Sequence, residues 1–278
     1  MKKILSLILI TVTFAACTNH ESTKTDTKST TLRLVSLAPS VTRELQELGL
    51  DSNIVGATSY CTITKNRPEL IVGNATDINI EKVLLLKPDM VLTTALTRSE
   101  TIEMLRKSGI KVHCFGKIES YATLCSQFTE LGKLVQKEKL ANELVAQSKH
   151  RIDSLKSLIP AQTIKPKLFF QIGAKPIFAV IPKTYMDDLI LFSGCQNIAT
   201  DMNRGTVSRE SVLLRNPDIM IITTMGIMGE DEIKVWQGYP NINAVKQKRI
   251  FIIDSDKACT PTLKSFEETL AEMINLIY

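Results

Sequence analysis

The stretch NIEKVLLLKPDMVLTT, residues 79 to 94, returns 129 residues later as SRESVLLRNPDIMIITT, residues 208 to 224. Glu81 matches Glu210, Val83 matches Val212, Leu84-Leu85 match Leu213-Leu214, and Pro88-Asp89 match Pro217-Asp218, all at the same internal offsets. Each copy reads as a short helix halted at a proline, which disfavours helical backbone in the residue before it, followed by an apolar strand. A chain that repeats this phrase has to build two similar units.

The surroundings of the two copies agree. RLVSLAP (33 to 39) and KLFFQIG (167 to 173) are short apolar runs ending in Pro or Gly, as buried strands do. Each precedes a helical pattern, SVTRELQELGL from Ser40 and TYMDDLILFSG from Thr184, and IKVHCF and RIFIID close the two halves as strands. Strands alternating with helices imply a mainly parallel sheet with helices on its faces. The expected fold is therefore α/β, with two similar lobes over residues 32–120 and 161–278.

Residues 121–160 between the lobes carry one glycine, Gly132, and no proline before Pro160. Leu131, Val135, Leu144, Val145, Ile152, Leu155 and Ile159 recur at three-to-four-residue steps among Lys, Glu and Gln, the pattern of an amphipathic helix. This segment is expected to be a backbone rod. Even if Gly132 interrupts it, the remaining ~27 residues would reach about 40 Å. Such a rod resists wide hinge closure.

At the other end, MKKILSLILITVTFAAC has two lysines, an apolar run too short to span a bilayer, and small residues before Cys17. Residues 1–16 read as an export signal and 17–31, polar and without apolar periodicity, as a flexible tether. Export places Cys61, Cys114, Cys125, Cys195 and Cys259 where disulfides can persist, but five is odd and spacing does not assign pairs. With no CxxC and three scattered histidines, His20, His113 and His150, a dedicated metal site is not expected. The net charge of +5 comes from 34 basic residues scattered among 29 acidic ones, so nucleic acid is not an expected partner. The chain also lacks a GxSxG elbow, a P-loop and a GxGxxG after the first strand. An enzyme assembled from distant residues would leave no such mark and stands as the different-class alternative.

The ordered set VSLAPSVTRELQELGLDSNIVGATSY, NIEKVLLLKPDMVL, GIKV, FFQIGAKPIF, GCQNI, VSRESVLLRNPDIMII and IDSD resembles the helical-backbone class of periplasmic substrate-binding proteins of ABC importers. The likeness runs over about residues 33 to 278 and is nearest to the class's cobalamin-binding members. It implies a non-enzymatic protein without a cofactor, which captures cobalamin or a related corrinoid between its lobes; a ferric siderophore or haem is the alternative guest. It also implies delivery to a dimeric permease with ATPase subunits. Ala15-Ala16-Cys17 resembles a lipoprotein signal, implying lipid on Cys17 and a periplasmic, membrane-anchored protein of the cell envelope.

Residue by residue, the resemblance makes Glu81 and Glu210 the glutamates that dock into arginine pockets of the permease, one per lobe. Two equivalent lobes place equivalent carboxylates about a pseudo-twofold axis, and a symmetric dimer is their natural partner. Tyr60 matches an aromatic position against the corrin ring and Asp256 a carboxylate that contacts amide side arms. Arg204, Lys257 and Cys259 are expected on the second-lobe wall, with Tyr60 and Cys61 opposite. Arg43 stands where relatives often carry Glu, and Trp236, the only tryptophan, is expected to pack within its helix rather than line the cleft.

Overall fold

The computed structural model describes residues 32–161, 164–224 and 229–278. The expected signal, the tether and the lipid-bearing Cys17 lie outside the described residues.

The first sheet is wholly parallel. Its strands β1 (Leu34–Ser36), β2 (Ile54–Ala57), β3 (Met90–Thr94) and β4 (Val112–Phe115) lie in the order β2-β1-β3-β4. Helices α1 (Pro39–Glu47), α2 (Ile80–Leu85) and α3 (Ser99–Lys107) connect them. The second sheet repeats this plan with β5 (Lys167–Ala174), β7 (Gln196–Asn197), β8 (Ile219–Thr223) and β9 (Ile250–Ile253). The two-residue β7 takes the place of β2, and β6 (Ile177–Ala179) is added antiparallel to β5. Its helices are α6 (Tyr185–Phe192), α7 (Arg209–Arg215), α8 (Gly229–Gln237) and α9 (Asn243–Lys246).

Side chains alternate across each sheet, as a pleated strand requires. Leu34, Met90 and Leu92 face one core, while Val35 and Val91 face a separate cluster under α2 and α3. In the second sheet Leu168, Phe170, Ile219 and Ile221 enter that same first core, while Phe169, Met220 and Ile222 pack with Trp236. One apolar core thus runs through both sheets. Trp236 is in α8, fully buried as expected, and its indole N–H donates to Gln171 Oε1 at 2.8 Å.

The connecting segment differs from the expected rod. It forms two helices, α4 (Tyr121–Leu134) and α5 (Glu138–Ser157), that pack on each other and on the last helix, α11 (Leu263–Ile277), which follows the four-residue α10 (Ser255–Ala258). The break has a local cause. Gln136 takes a left-handed backbone (φ 59°), and Gly132 lets the helices close so tightly that a Cβ there would sit 2.4 Å from Ala141 Cβ. The longest continuous piece, α5, has 20 residues, about 30 Å.

The repeated phrase now has a structural reading. Asn79 and Ser208 cap α2 and α7 by accepting from the N–H of Lys82 and Ser211. Val83 and Val212 are fully buried. Lys87 and Asn216, both at φ 45°, turn the chain out of the helix ahead of the proline. Asp89 then accepts from the N–H of Arg33 at 2.7 Å, and Asp218 from that of Lys167 at 2.9 Å. Each Pro-Asp pair therefore fastens the start of its lobe's first strand. Glu81, Leu85, Glu210 and Leu214 have no such duty: all four are exposed, Leu85 by 81% and Leu214 by 88%.

Candidate ligand cleft and docking surface

In open parallel sheets the carboxyl ends of the strands are where ligands settle. Here the carboxyl ends of both sheets open on one cavity of about 610 Å3, within the usual range for small-molecule sites. The turns after β1, β3 and β4 (residues 38–40, 94–96 and 116–118) form its first-lobe wall. Residues 178–181, 184–186 and 259–261 form the second-lobe wall. The lining is mostly apolar; Leu96 and Phe178 are unusually exposed for their type, and Lys117 is the one charged side chain among the described lining residues.

Phe178 is held from behind. It forms a β-bridge with Thr206, and Gly205 lies so close that a Cβ there would sit 2.2 Å from Phe178 Cε1. The loop 204–206 therefore acts as the ring's seat. Tyr185 donates its hydroxyl to Ala258 O at 2.8 Å, and burial raises its pKa well above the ordinary phenol value. Cys259 lines the cavity as a neutral thiol, pushed up to about 11 by burial and by the charge of Asp254. All five described cysteines are free thiols, and no cluster of His, Cys, Asp and Glu among the described residues could hold a metal ion.

Of the expected ligand contacts, Cys259 alone lines the cavity. Tyr60 follows the carboxyl end of β2, at the same end of the sheet, and is 67% exposed outside the lining. Cys61 is fully buried, with its sulfur against the Thr42 and Thr58 hydroxyls. Arg204 is an exposed residue of the turn that seats Phe178. Asp256 and Lys257 are occupied elsewhere: Asp256 meets Arg43 at 2.5 Å and Lys257 meets Glu272 at 2.7 Å. The neighbouring Asp254 provides the helix cap, accepting from the N–H of Asp256 and Lys257. Phe178 and Leu96 carried no local signal, because a cavity wall drawn from separate turns has no sequence period.

On the outer surface Glu81 and Glu210 lie in the first turns of α2 and α7, where the helix dipole favours a carboxylate. The Glu210 carboxyl is held below its usual range by its own backbone N–H and the Ser208 hydroxyl.

A two-lobed α/β chain with a cleft at the strand ends matches the periplasmic binding protein family model over residues 34–257. The chain belongs to that family. It is 29% identical over 253 residues, 87% of this chain and 79% of the other, to YvrC of Bacillus subtilis, an uncharacterized ABC transporter substrate-binding lipoprotein. A vitamin B12-binding protein of Photorhabdus laumondii is 26% identical, with 75% of each chain covered. A solved Staphylococcus epidermidis structure, described as a possible iron-binding (periplasmic solute-binding) protein, is 30% identical. It superposes with a TM-score of 0.78 over 88% of this chain and 98% of its own. This binding protein is a solute carrier of an ABC transporter, not an enzyme, and works with a permease and its ATPase; what it carries is a transported guest rather than a cofactor. Among its described residues no helix is long and apolar enough to cross a membrane.

Proposed function

We propose that this binding protein captures cobalamin or a related corrinoid in the cleft between its lobes and hands it to an importer. The observation that carries this reading is the cavity itself, mostly apolar and walled by turns of both sheets. A flat macrocycle buries its face against such walls, and an aromatic neighbour such as Phe178 contributes about 1 kcal/mol or more beyond area burial. Tyr60, exposed at the same sheet end, extends the contact beyond the cavity. Among the described lining residues there is no histidine or carboxylate and Cys259 is held as a neutral thiol, a lining that suits a guest bringing its metal already chelated. A haem or a ferric siderophore is the second reading, favoured by the Lys117 ammonium at the mouth.

Docking uses Glu81 and Glu210 as two matched feet on the permease dimer, with the exposed Leu85 and Leu214 one turn further along each helix. Charge pairs of this kind set orientation and association rate. The leader ending in Ala15-Ala16-Cys17 supports lipid attachment at Cys17, which would keep the carrier at the membrane surface of the periplasm. No chemistry is done on the guest.

Calorimetry with cyanocobalamin, cobinamide, haemin and a ferric siderophore tests the guest. Micromolar or tighter corrinoid binding, about 8 kcal/mol or more, is expected at a 1:1 ratio. Binding of haemin alone overturns the corrinoid assignment and keeps the class.

A further inference from the structure

Helix α1 begins at the cavity wall with its donors unspent. Its cap residue, Ala38, has no side-chain oxygen to offer, and its first turn contains no acidic residue. Pro39 has no N–H, which leaves the N–H groups of Ser40 and Val41 without an intrahelical partner. Ser40 lines the cavity, is only 8% exposed, and its hydroxyl has no hydrogen-bond partner among the described residues.

The other helix that starts on the cavity makes the contrast. In α6 the Thr184 hydroxyl caps the Asp187 N–H, and Asp187 and Asp188 already stand in the first turn. Its positive end is therefore neutralised by its own chain. At α1 nothing plays that part, and the nearby charge in the lining is the Lys117 ammonium, of the same sign as the helix end. A buried serine hydroxyl that faces a cavity without a partner is an unmet donor, and such groups are normally satisfied.

We infer that Ser40, with the N–H groups of Ser40 and Val41, forms an anion subsite of the cleft that takes a carboxylate or phosphodiester on the rim of the guest, with Lys117 as countercharge. This rests on the reading of the cleft as the guest site and narrows the guest to chelates that carry an acidic arm. The phosphodiester of a complete cobalamin and the carboxylates of haem share that chemistry.

Two matched pairs of probes distinguish the sources: cyanocobalamin against dicyanocobinamide, which lacks the phosphodiester, and haemin against its dimethyl ester. Each is titrated into the wild type, Ser40→Ala and Lys117→Ala, with thermal melts to show that the variants are folded. Losing a hydrogen bond to a charged group corresponds to about a tenfold loss. Ser40→Ala is expected to weaken the acidic member of the binding pair by that factor and to leave its neutral counterpart within about twofold. Lys117→Ala should follow the same pattern and also weaken the salt dependence of binding the acidic member. Equal losses for both members, or no loss for either, overturn the subsite. If no probe binds the wild type, the macrocycle reading fails, and the subsite is then read from the amide signals of Ser40 and Val41 as inorganic phosphate is added. Saturable movement of both in wild type, reduced in Ser40→Ala, supports it; unmoved signals overturn it.

Discussion

Arg43, on the first helix of the first lobe, reaches Asp256 in the second lobe, with Nη2 at 2.5 Å from the carboxylate and Nη1 at 3.2 Å from the backbone carbonyl. This is a contact between segments 213 residues apart in the chain, one from each lobe. The carboxylate is largely exposed, so the pair contributes at most about 1 kcal/mol to folding. Its effect on the separation of the lobes is a different quantity. Arg43→Ala should change the unfolding free energy by less than about 1 kcal/mol while widening the unliganded protein, read as a larger radius of gyration in X-ray scattering and faster guest release. Arg43→Lys should fall between, because an ammonium cannot span the two acceptors as a guanidinium does. An unchanged radius in Arg43→Ala would show that α4, α5 and α11 alone set the spacing.

The same helix carries two carboxyls toward the interior. Glu44 is fully buried, its oxygens have no hydrogen-bond partner among the described residues, and burial raises its pKa well above the ordinary value. Burial, with Glu267 and Glu268 nearby and Lys264 in partial relief, pushes Glu47 from 4.5 up to about 7. In the unfolded chain Glu47 loses its proton near pH 4.5, whereas the folded protein holds it to about pH 7. Between those values folding takes up a proton, so stability falls as the pH rises and the penalty is complete above pH 7. Glu47→Gln should remove that decline and stabilise the protein at pH 8 by roughly 2 to 3 kcal/mol, while changing little at pH 4. Urea unfolding at pH 4, 6 and 8 measures it.

Phe178 depends on the loop beneath it. Replacing the ring, Phe178→Ala, should weaken guest binding by about 5- to 30-fold in calorimetry, the loss of an aromatic face worth 1 to 2 kcal/mol. Gly205→Ala puts a methyl where the ring edge now lies, so the ring has to turn into the cavity. Its expected signature is weakened binding with a near-normal melting temperature, because the displaced group faces open space rather than core.

The duplicated phrase announced two parallel α/β lobes because every structural duty within it is local: a cap, one buried valine, a proline stop, and an aspartate that reaches the start of the first strand. The helix pair α4 and α5 was not visible as a pair. Periodicity runs through both, and only the close approach of Gly132 to Ala141 and the left-handed Gln136 divide them. The strands β6 and β7 were equally hidden, being three and two residues long and defined by their pairing with β5. The cleft was least legible. Asp256 and Lys257 look like binding groups in a motif, but their charges are consumed by Arg43 and Glu272, partners that the sequence places far away.

Glu81 and Glu210 provide the decisive test of docking, because they are matched, exposed carboxylates of the repeat that hold neither strand nor core in place. Each is exposed, each begins a short helix, and each has an exposed leucine four residues on. Replacing both with Ala removes only a solvent-screened helix-dipole contribution at two exposed positions, so the variant should stay folded. Guest affinity should be unchanged, since neither residue lines the cavity. Uptake, and stimulation of the transporter's ATPase by loaded protein, should be abolished. Each single change should slow association and weaken its dependence on salt. Retained uptake in the double variant would refute docking through these residues. Retained uptake together with normal guest binding would move the contact to another face of the lobes and leave the carrier function intact.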